Sequence, residues 1–358
     1  MKTYNNTKVI IGLSGGVDSA VSAYLLKKQG YEVSAAYIQC WKEPGCRADQ
    51  DRKDALKVAL ILGIPFQVLD FSREYKEKVL QYFYQEYKAG RTPNPDILCN
   101  SVIKFGLFYD WAIKSGFDYI STGHYAKIID GCLAVPKDKK KDQTYFLYQI
   151  LPDRLKHVLF PLGDYLKSEV RKIARENKLT IAEKPDSMGI CFVGDINVPQ
   201  FLKQKFGIKK GEVQLSDGTV IGEHDGHWLF TIGKRGKWKR INKIQNTKFK
   251  NDQLPKLYVI AIKPKENVVV VGERKQAERQ EFNINNLILK DKNSLSNVFV
   301  RIRNTGELLS AKITLLDKDI WQVRLTKSEF GVSPGQSAVI YKKVKGNEYI
   351  ILGGGIIQ

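Results

Sequence analysis

The sequence predicts an α/β domain built on a parallel sheet, followed by two small β domains of barrel-like type. In the first half, short apolar runs alternate with stretches of helical periodicity, which is typical of βαβ units. Past residue 207 the character changes to short β-rich runs separated by turn residues. The 358 residues suffice for two or three domains of about 100–200 residues each. We predict domains at 1–206, 207–275 and 276–358.

The first predicted domain begins with a buried strand and a helix. Residues 9–13 (Val-Ile-Ile-Gly-Leu) are almost wholly apolar, as a strand covered on both faces requires. After a glycine turn, Val21, Tyr24 and Leu25 lie on one helical face. The predicted strands are 9–13, 32–39, 65–70 and 118–122. The predicted helices are 20–28, 51–62, 72–88, 102–114, 167–177 and a short one near 199–206.

Three segments interrupt this alternation. Residues 91–100 carry two prolines, which predicts an ordered, non-helical loop. Residues 137–142 are charged, and residues 183–194 form a further loop between two helices. In the second half the predicted strands are 220–222, 228–232, 257–262, 267–271, 298–303, 311–315, 322–325, 337–341 and 349–352.

The charge balance points to a polyanionic partner. Lys plus Arg number 58 and Asp plus Glu 38, so the formal net charge is +20. Such a surplus suits nucleic acid or an acidic membrane surface, although a generally basic proteome would give the same number. The sequence shows no signal peptide or apolar span, and its five scattered cysteines favour a reducing compartment. We therefore expect a cytoplasmic protein that does not enter a membrane.

Residues 12–19, here named the phosphate loop, join the first predicted strand to the first helix. Two consecutive glycines let backbone N–H groups approach a phosphate, two serines add hydroxyl donors, and the helix dipole favours an anion. Asp18 would need a Mg²⁺ between its carboxylate and the phosphates. The alternative is a plain capped glycine turn. The motif is neither a Walker A loop nor a dinucleotide fingerprint. It resembles the PP-loop of ATP pyrophosphatases, which implies ATP bound by Gly12, Leu13, Ser14, Gly15, Gly16, Val17, Asp18 and Ser19.

Two cysteines stand in polar loops and are candidates for sulfur chemistry. Cys99 follows Asp96 by three residues, and Cys191 lies in Asp-Ser-Met-Gly-Ile-Cys-Phe. A thiolate is both a strong nucleophile and a sulfur carrier, and a basic site lowers its pKa. The alternative is that both are small buried hydrophobes. We expect that role for Cys40, Cys46 and Cys132, although an exposed Cys46 in its Gly-Cys-Arg loop stays open. No residue spacing indicates a zinc site.

Several motifs occur in the order seen in tRNA-specific 2-thiouridylases, and the sequence resembles that family along nearly its whole length. They are the phosphate loop, 91–100 (Arg-Thr-Pro-Asn-Pro-Asp-Ile-Leu-Cys-Asn), 122–125 (Thr-Gly-His-Tyr), 141–147 (Lys-Asp-Gln-Thr-Tyr-Phe-Leu), 186–194 (Asp-Ser-Met-Gly-Ile-Cys-Phe-Val-Gly) and 222–226 (Gly-Glu-His-Asp-Gly).

The resemblance implies a reaction at the wobble uridine of tRNA. Cys191 would carry a persulfide received from a sulfur-relay or cysteine desulfurase protein. Cys99 would release the sulfur and form a transient disulfide with Cys191, and Asp96 would act as acid and base. Ile38 and Gly123 would also touch the nucleotide. The residues implied in tRNA binding are Asn94, Pro95, Asp96, His124, Lys141, Asp142, Gln143, Arg303, Asn304 and Gln336.

Some features depart from the family or leave alternatives open. Asn304 stands where Tyr is common, and residues 236–254 do not follow the family's pattern. Residues 233–250 hold eight Lys and Arg with interleaved aromatics, which suits RNA or a solvated loop. The rival functions are a different PP-loop enzyme that needs no cysteine pair, or an RNA-binding scaffold without turnover. An iron–sulfur cluster could carry the sulfur, although the sequence indicates no metal ligands. We expect a monomer.

Overall fold

The computed structural model describes residues 6–42, 47–186, 197–241, 255–289, 295, 297–344, 346 and 348–358. The chain forms two compact units, each assembled from separate stretches of sequence. Unit 1 comprises Met1–Leu80, Pro95–Ile196 and Tyr341–Gly353, and unit 2 comprises Gln81–Asn94, Asn197–Ile340 and Gly354–Gln358. The predicted domain boundaries after residues 206 and 275 stay a prediction.

Unit 1 is built on a parallel sheet, as predicted, and the sheet has five strands where four were predicted. Its strands, in spatial order, are Phe66–Asp70, Glu32–Gln39, Lys8–Gly12, Tyr119–Ser121 and Val158–Leu159. Val9, Ile10 and Ile11 on the central strand are fully buried, because helices cover both faces of a parallel sheet. The α/β fold class is therefore confirmed, and the carboxyl end of the central strand leads directly into the phosphate loop.

The helices of unit 1 surround this sheet. They are Val17–Lys28, Ala48–Leu62, Ser72–Tyr75, Pro95–Leu98, Tyr109–Lys114, Pro152–Leu155 and Lys167–Glu176, with π-helical turns at Lys76–Leu80 and Cys99–Phe108 and a 3₁₀ turn at Thr144–Phe146. The second helix, Ala48–Leu62, ends at Gly63, whose φ of 59° is the left-handed conformation common at helix ends. In the described part of the chain no helix is long and apolar enough to span a bilayer.

The prediction of a non-helical loop at 91–100 is wrong for its second half. A helix begins at Pro95 and continues from Cys99 as the π-helix. Proline is tolerated in the first turn of a helix, where its missing N–H would have no partner, so Pro95 begins the helix instead of preventing it.

A short antiparallel hairpin in unit 1 was not predicted. Lys127–Ile129 pairs with Cys132–Ala134, and Ala134 also pairs with Ile350 of the strand Tyr349–Ile357. Asp130 and Gly131 both have positive φ in the turn, as a two-residue hairpin turn requires.

Unit 2 is rich in β-strands, which confirms the predicted change of character. Its first sheet contains, in spatial order, Lys239–Arg240, Val220–His224, Gly211–Gln214, Val268–Gly272 and Tyr258–Lys263. Its second sheet places Glu278–Leu289, Ile320–Phe330, Leu309–Asp317 and Val298–Arg301 side by side. The strands Ser337–Lys343 and Tyr349–Ile357 divide their residues between the units.

Helical segments accompany these sheets in unit 2. They are Gln81–Lys88, Val198–Phe206 and the 3₁₀ turns His227–Leu229 and Arg274–Ala277. The predicted strand at 228–232 is wrong, because Gly226 has a φ of 151° and the indole of Trp228 lies against it, turning the chain. The strands Gly211–Gln214 and Glu278–Leu289 were missed.

Candidate active site

The phosphate loop joins the central strand to the first helix, Val17–Lys28. Gly15 has a φ of 74°, and Gly16 is the extended N-cap of the helix. The loop therefore uses a left-handed position that favours glycine, and it presents the N-terminal N–H groups of the helix toward the space above the sheet. This geometry can hold phosphate oxygens.

The two serine hydroxyls of the loop bond to each other and to its backbone. Ser14 Oγ and Ser19 Oγ are 3.1 Å apart, and Ser19 Oγ also accepts the N–H of Ser14 at 3.1 Å. Ser19 Oγ donates to the carbonyl of Gly16 at 3.2 Å. These bonds fix the two serine side chains within the loop, and rotatable hydroxyls can turn toward an anion.

Ile38 and Gly123, the other residues expected at the nucleotide, both lie against the loop. A Cβ built on Gly12 would sit 3.7 Å from Ile38 Cδ1. A Cβ built on Gly123 would sit 2.5 Å from the backbone nitrogen of Ser19, so only glycine fits there without displacement. The structure brings these residues together with the phosphate loop.

Asp18 carries a set of partners that the sequence did not reveal. Lys167 Nζ lies 2.7 Å from its Oδ1 and 2.8 Å from its Oδ2, and the Tyr125 hydroxyl donates to Oδ1 at 2.9 Å. Burial, followed by the charge of Asp18, raises the pKa of the Tyr125 phenol above its ordinary value, so it remains a donor. Lys167 lies in the first turn of its helix, where a cation is unfavourable because of the helix dipole. This unusual position is the sequence feature that could have indicated a functional role for Lys167.

Asp186 joins the same group of charges. It lies 2.7 Å from Lys167, 2.6 Å from Lys141 and 2.9 Å from Arg171. Burial alone would raise the pKa of Asp186, but hydrogen bonds from Lys141 and Lys167 lower it to about 2. Lys141, which the resemblance assigned to tRNA binding, thus lies at the end of a charge network that begins at Asp18.

The thiol of Cys99 is fully buried at the point where the helix Pro95–Leu98 becomes the π-helix Cys99–Phe108. Asp96 is half-buried in the first turn, and Pro95 is buried. Asn94 belongs to unit 2, whereas Pro95, Asp96 and Cys99 belong to unit 1. Cys46 and Cys191 lie outside the described residues, so the expected meeting of Cys99 and Cys191 stays a prediction.

The other polar residues assigned to tRNA in unit 1 are held by local bonds. His124 Nδ1 lies 2.8 Å from Thr122 Oγ1, and its Nε2 lies 3.4 Å from Lys104 Nζ. Burial, then the charge of Lys104, holds the pKa of His124 well below 6.5, so the ring is neutral. An ammonium only donates, so Nε2 accepts and Nδ1 carries the proton.

Asp142 and Gln143 shape the turn that follows Lys141. Asp142 Oδ1 accepts the N–H and the hydroxyl of Thr144 at 3.0 and 2.6 Å. Gln143 Oε1 accepts the N–H of Tyr125 at 2.9 Å. The carbonyl of the Gln143 amide is therefore engaged by the backbone, and its NH₂ group is the part that suits a uridine oxygen.

The residues assigned to tRNA in the last predicted domain lie in unit 2. Arg303 forms an ion pair with Glu329, and Asn304 Oδ1 is buried without a hydrogen-bond partner among the described residues. Gln336 Nε2 donates to the carbonyls of Thr92 and Pro93 at 2.7 and 3.4 Å. Gln336 therefore supports the backbone that leads to Asn94.

The described part of the basic segment forms a cavity of about 260 Å³ in unit 2. It is lined by Arg235, Gly236, Lys237, Trp238, Arg240, Pro255 and Leu257. Residues 242–254 lie outside the described residues. Arginine and lysine around an indole suit a phosphate or an unstacked base.

Among the described residues no cluster of three or more His, Cys, Asp or Glu could hold a metal ion. Asp18 is the carboxylate within the phosphate loop itself, and Lys167 bonds both of its oxygens. A carboxylate beside substrate phosphates is the kind of ligand that Mg²⁺ takes together with water, and Lys167 would have to release an oxygen of Asp18 for that ion to bind.

Comparison with known proteins covers the whole chain. The tRNA methyl transferase HUP domain model matches residues 7–195, the tRNA methyl transferase PRC-barrel domain model 199–273, and the aminomethyltransferase beta-barrel domain model 280–357. The tRNA-specific 2-thiouridylase MnmA of Nitrosomonas europaea is 39% identical over 369 residues, covering 99% of this chain and 98% of the relative.

Two further relatives give the same result. The MnmA of Oceanobacillus iheyensis is 38% identical, covering 100% of this chain and 96% of its own. The MnmA of Caldicellulosiruptor saccharolyticus is 40% identical, covering 98% of both chains. These matches confirm the resemblance drawn from the motifs, and the chain belongs to the family of tRNA-specific 2-thiouridylases.

Proposed function

We propose that this chain is an ATP-dependent tRNA-uridine 2-sulfurtransferase. It adenylates the C2 oxygen of the wobble uridine and replaces that oxygen with sulfur, giving 2-thiouridine, AMP and pyrophosphate. The observation that carries the proposal is the phosphate loop of this chain, a member of the 2-thiouridylase family. In that loop Gly15 has a φ of 74°, and Gly123 packs against Ser19.

The first step places ATP on the phosphate loop. The N–H groups at the start of the first helix and the hydroxyls of Ser14 and Ser19 hold the phosphates, and Ile38 lies beside the loop where the nucleoside can rest. Asp18 would be the residue that holds a Mg²⁺, which would supply neutralising charge to the phosphates. The uridine oxygen attacks the α-phosphate and pyrophosphate leaves, while Asp96 takes the ring proton.

The second step transfers sulfur from a cysteine persulfide to C2 of the uridine. The outer sulfur of a Cys191 persulfide attacks C2, and AMP leaves with the former uridine oxygen. The Cys99 thiolate then attacks the inner sulfur, so the sulfur–sulfur bond breaks and a Cys99–Cys191 disulfide forms. Asp96 returns the proton to the ring nitrogen as 2-thiouridine is released. An external thiol reductant restores both cysteines, and a sulfur-relay protein or a cysteine desulfurase reloads Cys191.

The tRNA-binding residues and the cellular setting complete the proposal. The Asn94–Asp96 segment, His124 and Lys141–Gln143 contact the target base, while Arg303, Asn304 and Gln336 contact the tRNA body. A monomer in the cytoplasm suits this reaction, because free thiolates persist in a reducing compartment.

The test is mass spectrometry of nucleosides from substrate tRNA incubated with the protein, ATP, Mg²⁺ and a persulfide donor. Wild type should form 2-thiouridine, whereas Cys191→Ser should not. Cys132→Ser is the matched control, because Cys132 is half-buried in the hairpin, takes no part in the proposed steps and should retain activity. Full product formation by Cys191→Ser would move the chain to a PP-loop class that needs no cysteine pair.

The iron–sulfur alternative has its own measurement. Protein purified without oxygen should contain no stoichiometric iron and should thiolate tRNA from the persulfide donor alone. Activity that tracks bound iron would replace the persulfide route with a cluster-based route.

A further inference from the structure

Lys184 holds the phosphate loop through its backbone. Its Nζ lies 2.9 Å from the carbonyl oxygen of Gly15, 2.7 Å from Asp51 Oδ1 and 2.7 Å from Asp54 Oδ2. An ammonium group has three N–H donors, so the three acceptors use all of them. The side chain is only 13% exposed, so water competes little for these bonds.

The second helix, Ala48–Leu62, supplies the fixed side of this contact. Asp51 and Asp54 are one turn apart and face Lys184 together. Burial alone would raise the pKa of Asp54, but hydrogen bonds from Lys184 and Gln50 outweigh it and lower that pKa. Both carboxylates therefore anchor the ammonium at one position.

Gly15 is pressed against the same helix. A Cβ on Gly15 would collide with the carbonyl oxygen of Asp51, so the loop passes directly over the backbone of the second helix. The close approach and the bond from Lys184 act on the same peptide group.

That peptide group also contains the N–H of Gly16. The peptide bond is planar and trans, so the Gly15 carbonyl and the Gly16 N–H point in opposite directions. When Lys184 holds the oxygen on one side, the N–H is aimed at the other side. The nearest acceptor for this N–H is Ser14 Oγ at a long 3.4 Å, so a phosphate oxygen can replace it at low cost.

We propose that Lys184 is a positioning residue for ATP. By fixing the carbonyl of Gly15, Lys184 aims the Gly16 N–H into the phosphate loop. This role rests on the proposed binding of ATP at residues 12–19. Lys184 lies seven residues before Cys191 in sequence, so its bonds also attach the chain leading to Cys191 to the proposed nucleotide site.

The experiment measures binding of an ATP analogue with a methylene group between the α- and β-phosphates, by titration calorimetry with Mg²⁺. Lys184→Met should weaken binding by roughly tenfold or more, the size expected for loss of a charge-assisted hydrogen bond that orders a ligand donor. Lys172→Met, at an exposed lysine of the helix Lys167–Glu176, is the matched control and should bind like wild type.

A second pair of variants separates positioning from simple charge neutralisation. In Lys184→Met, Asp51 and Asp54 lose their cation, and the protein should melt at a lower temperature. The triple variant Lys184→Met with Asp51→Asn and Asp54→Asn removes that unpaired charge. Its melting temperature should recover, but its affinity for the analogue should not, because no group holds the Gly15 carbonyl.

The two amide substitutions alone keep Lys184 and leave it amide oxygens as acceptors, so they should weaken binding less than Lys184→Met does. Wild-type affinity in Lys184→Met, or full recovery of affinity in the triple variant, would overturn the role of Lys184. Wild-type protein that fails to bind the analogue would instead refute the proposed ATP site.

Discussion

The ammonium of Lys167 lies 2.7 and 2.8 Å from the two carboxylate oxygens of Asp18. The same nitrogen is 2.7 Å from Asp186. One cation therefore joins the first turn of the helix Val17–Lys28 to the last described residue before the segment that holds Cys191. The position of this charge at the edge of the phosphate loop suits the negative charge that develops on departing pyrophosphate.

Lys167→Met should slow tRNA-dependent formation of AMP and pyrophosphate by about 10²–10³-fold, as expected when a preorganised charge is removed from a reacting centre. The rate is measured from labelled ATP at saturating tRNA. Lys172→Met provides the control for loss of a lysine from the same helix. AMP formation by Lys167→Met at the wild-type rate would contradict a role for this cation in the reaction.

Gly123→Ala should destabilise the protein and weaken binding of ATP. The new methyl group would meet the Ser19 nitrogen at 2.5 Å and the Asp18 carbonyl carbon at 2.9 Å, both of them backbone atoms of the first helix. Overpacking of this kind costs about 1–3 kcal/mol. Thermal melting and calorimetric titration with the ATP analogue measure the two effects.

Gly116→Ala is a useful comparison for that variant. A methyl group there meets no atom within 4 Å, although the φ of 83° adds backbone strain. It should lower the melting temperature without changing affinity for the nucleotide. Equal affinities in Gly123→Ala and wild type would show that the loop tolerates displacement at this contact.

The stability of the protein should fall as pH drops from 6.5 toward 4, in part because of His224. Burial and the neighbouring His227 lower the pKa of His224 from 6.5 to about 4. Above pH 6.5 the ring is neutral in both the folded and unfolded chains. Between pH 6.5 and 4 only the unfolded chain takes up the proton, so stability is lost in this window.

His224→Asn keeps an acceptor for the Gly226 N–H, which bonds His224 Nδ1 at 3.0 Å, but it cannot titrate in this range. Its melting temperature should therefore fall less steeply between pH 6.5 and 4 than that of wild type. His157→Asn, at an exposed histidine of unit 1, should follow the wild-type profile. An unchanged slope in His224→Asn would rule out this histidine as a source of the acid sensitivity.

Much of the parallel sheet could be predicted from the sequence, because local pattern and tertiary environment agree there. Val9, Ile10 and Ile11 are apolar and fully buried, and the strand 32–39 was predicted with the bounds that the structure has. The prediction of a non-helical loop at 91–100 was wrong in its second half because Pro95 was treated as a helix breaker. Proline is well suited to the first turn of a helix.

The glycine-rich loop between a strand and a helix was predicted from its motif, whereas the partners of its charges were not. Asp18 and Lys167 are 149 residues apart in sequence, and Lys184 and Gly15 are 169 apart. Such pairs have no local periodicity, because the fold alone brings their helices and loops together. The turn at Asp130 and Gly131 is different, since an Asp-Gly pair is a recognised hairpin signal that the sequence analysis overlooked.

The interleaving of the two units has a genetic consequence. The stretch Tyr341–Gly353 belongs to unit 1, where Ile350 pairs with Ala134 of the hairpin, whereas Gln81–Asn94 belongs to unit 2. A nonsense codon shortly before residue 349 would remove the strand Tyr349–Ile357, whose first part belongs to unit 1. Every proposed catalytic residue would still be encoded. Alleles truncated at this point should therefore resemble lesions that disrupt the first stretch of unit 1, and one cut in the gene cannot separate unit 1 from unit 2.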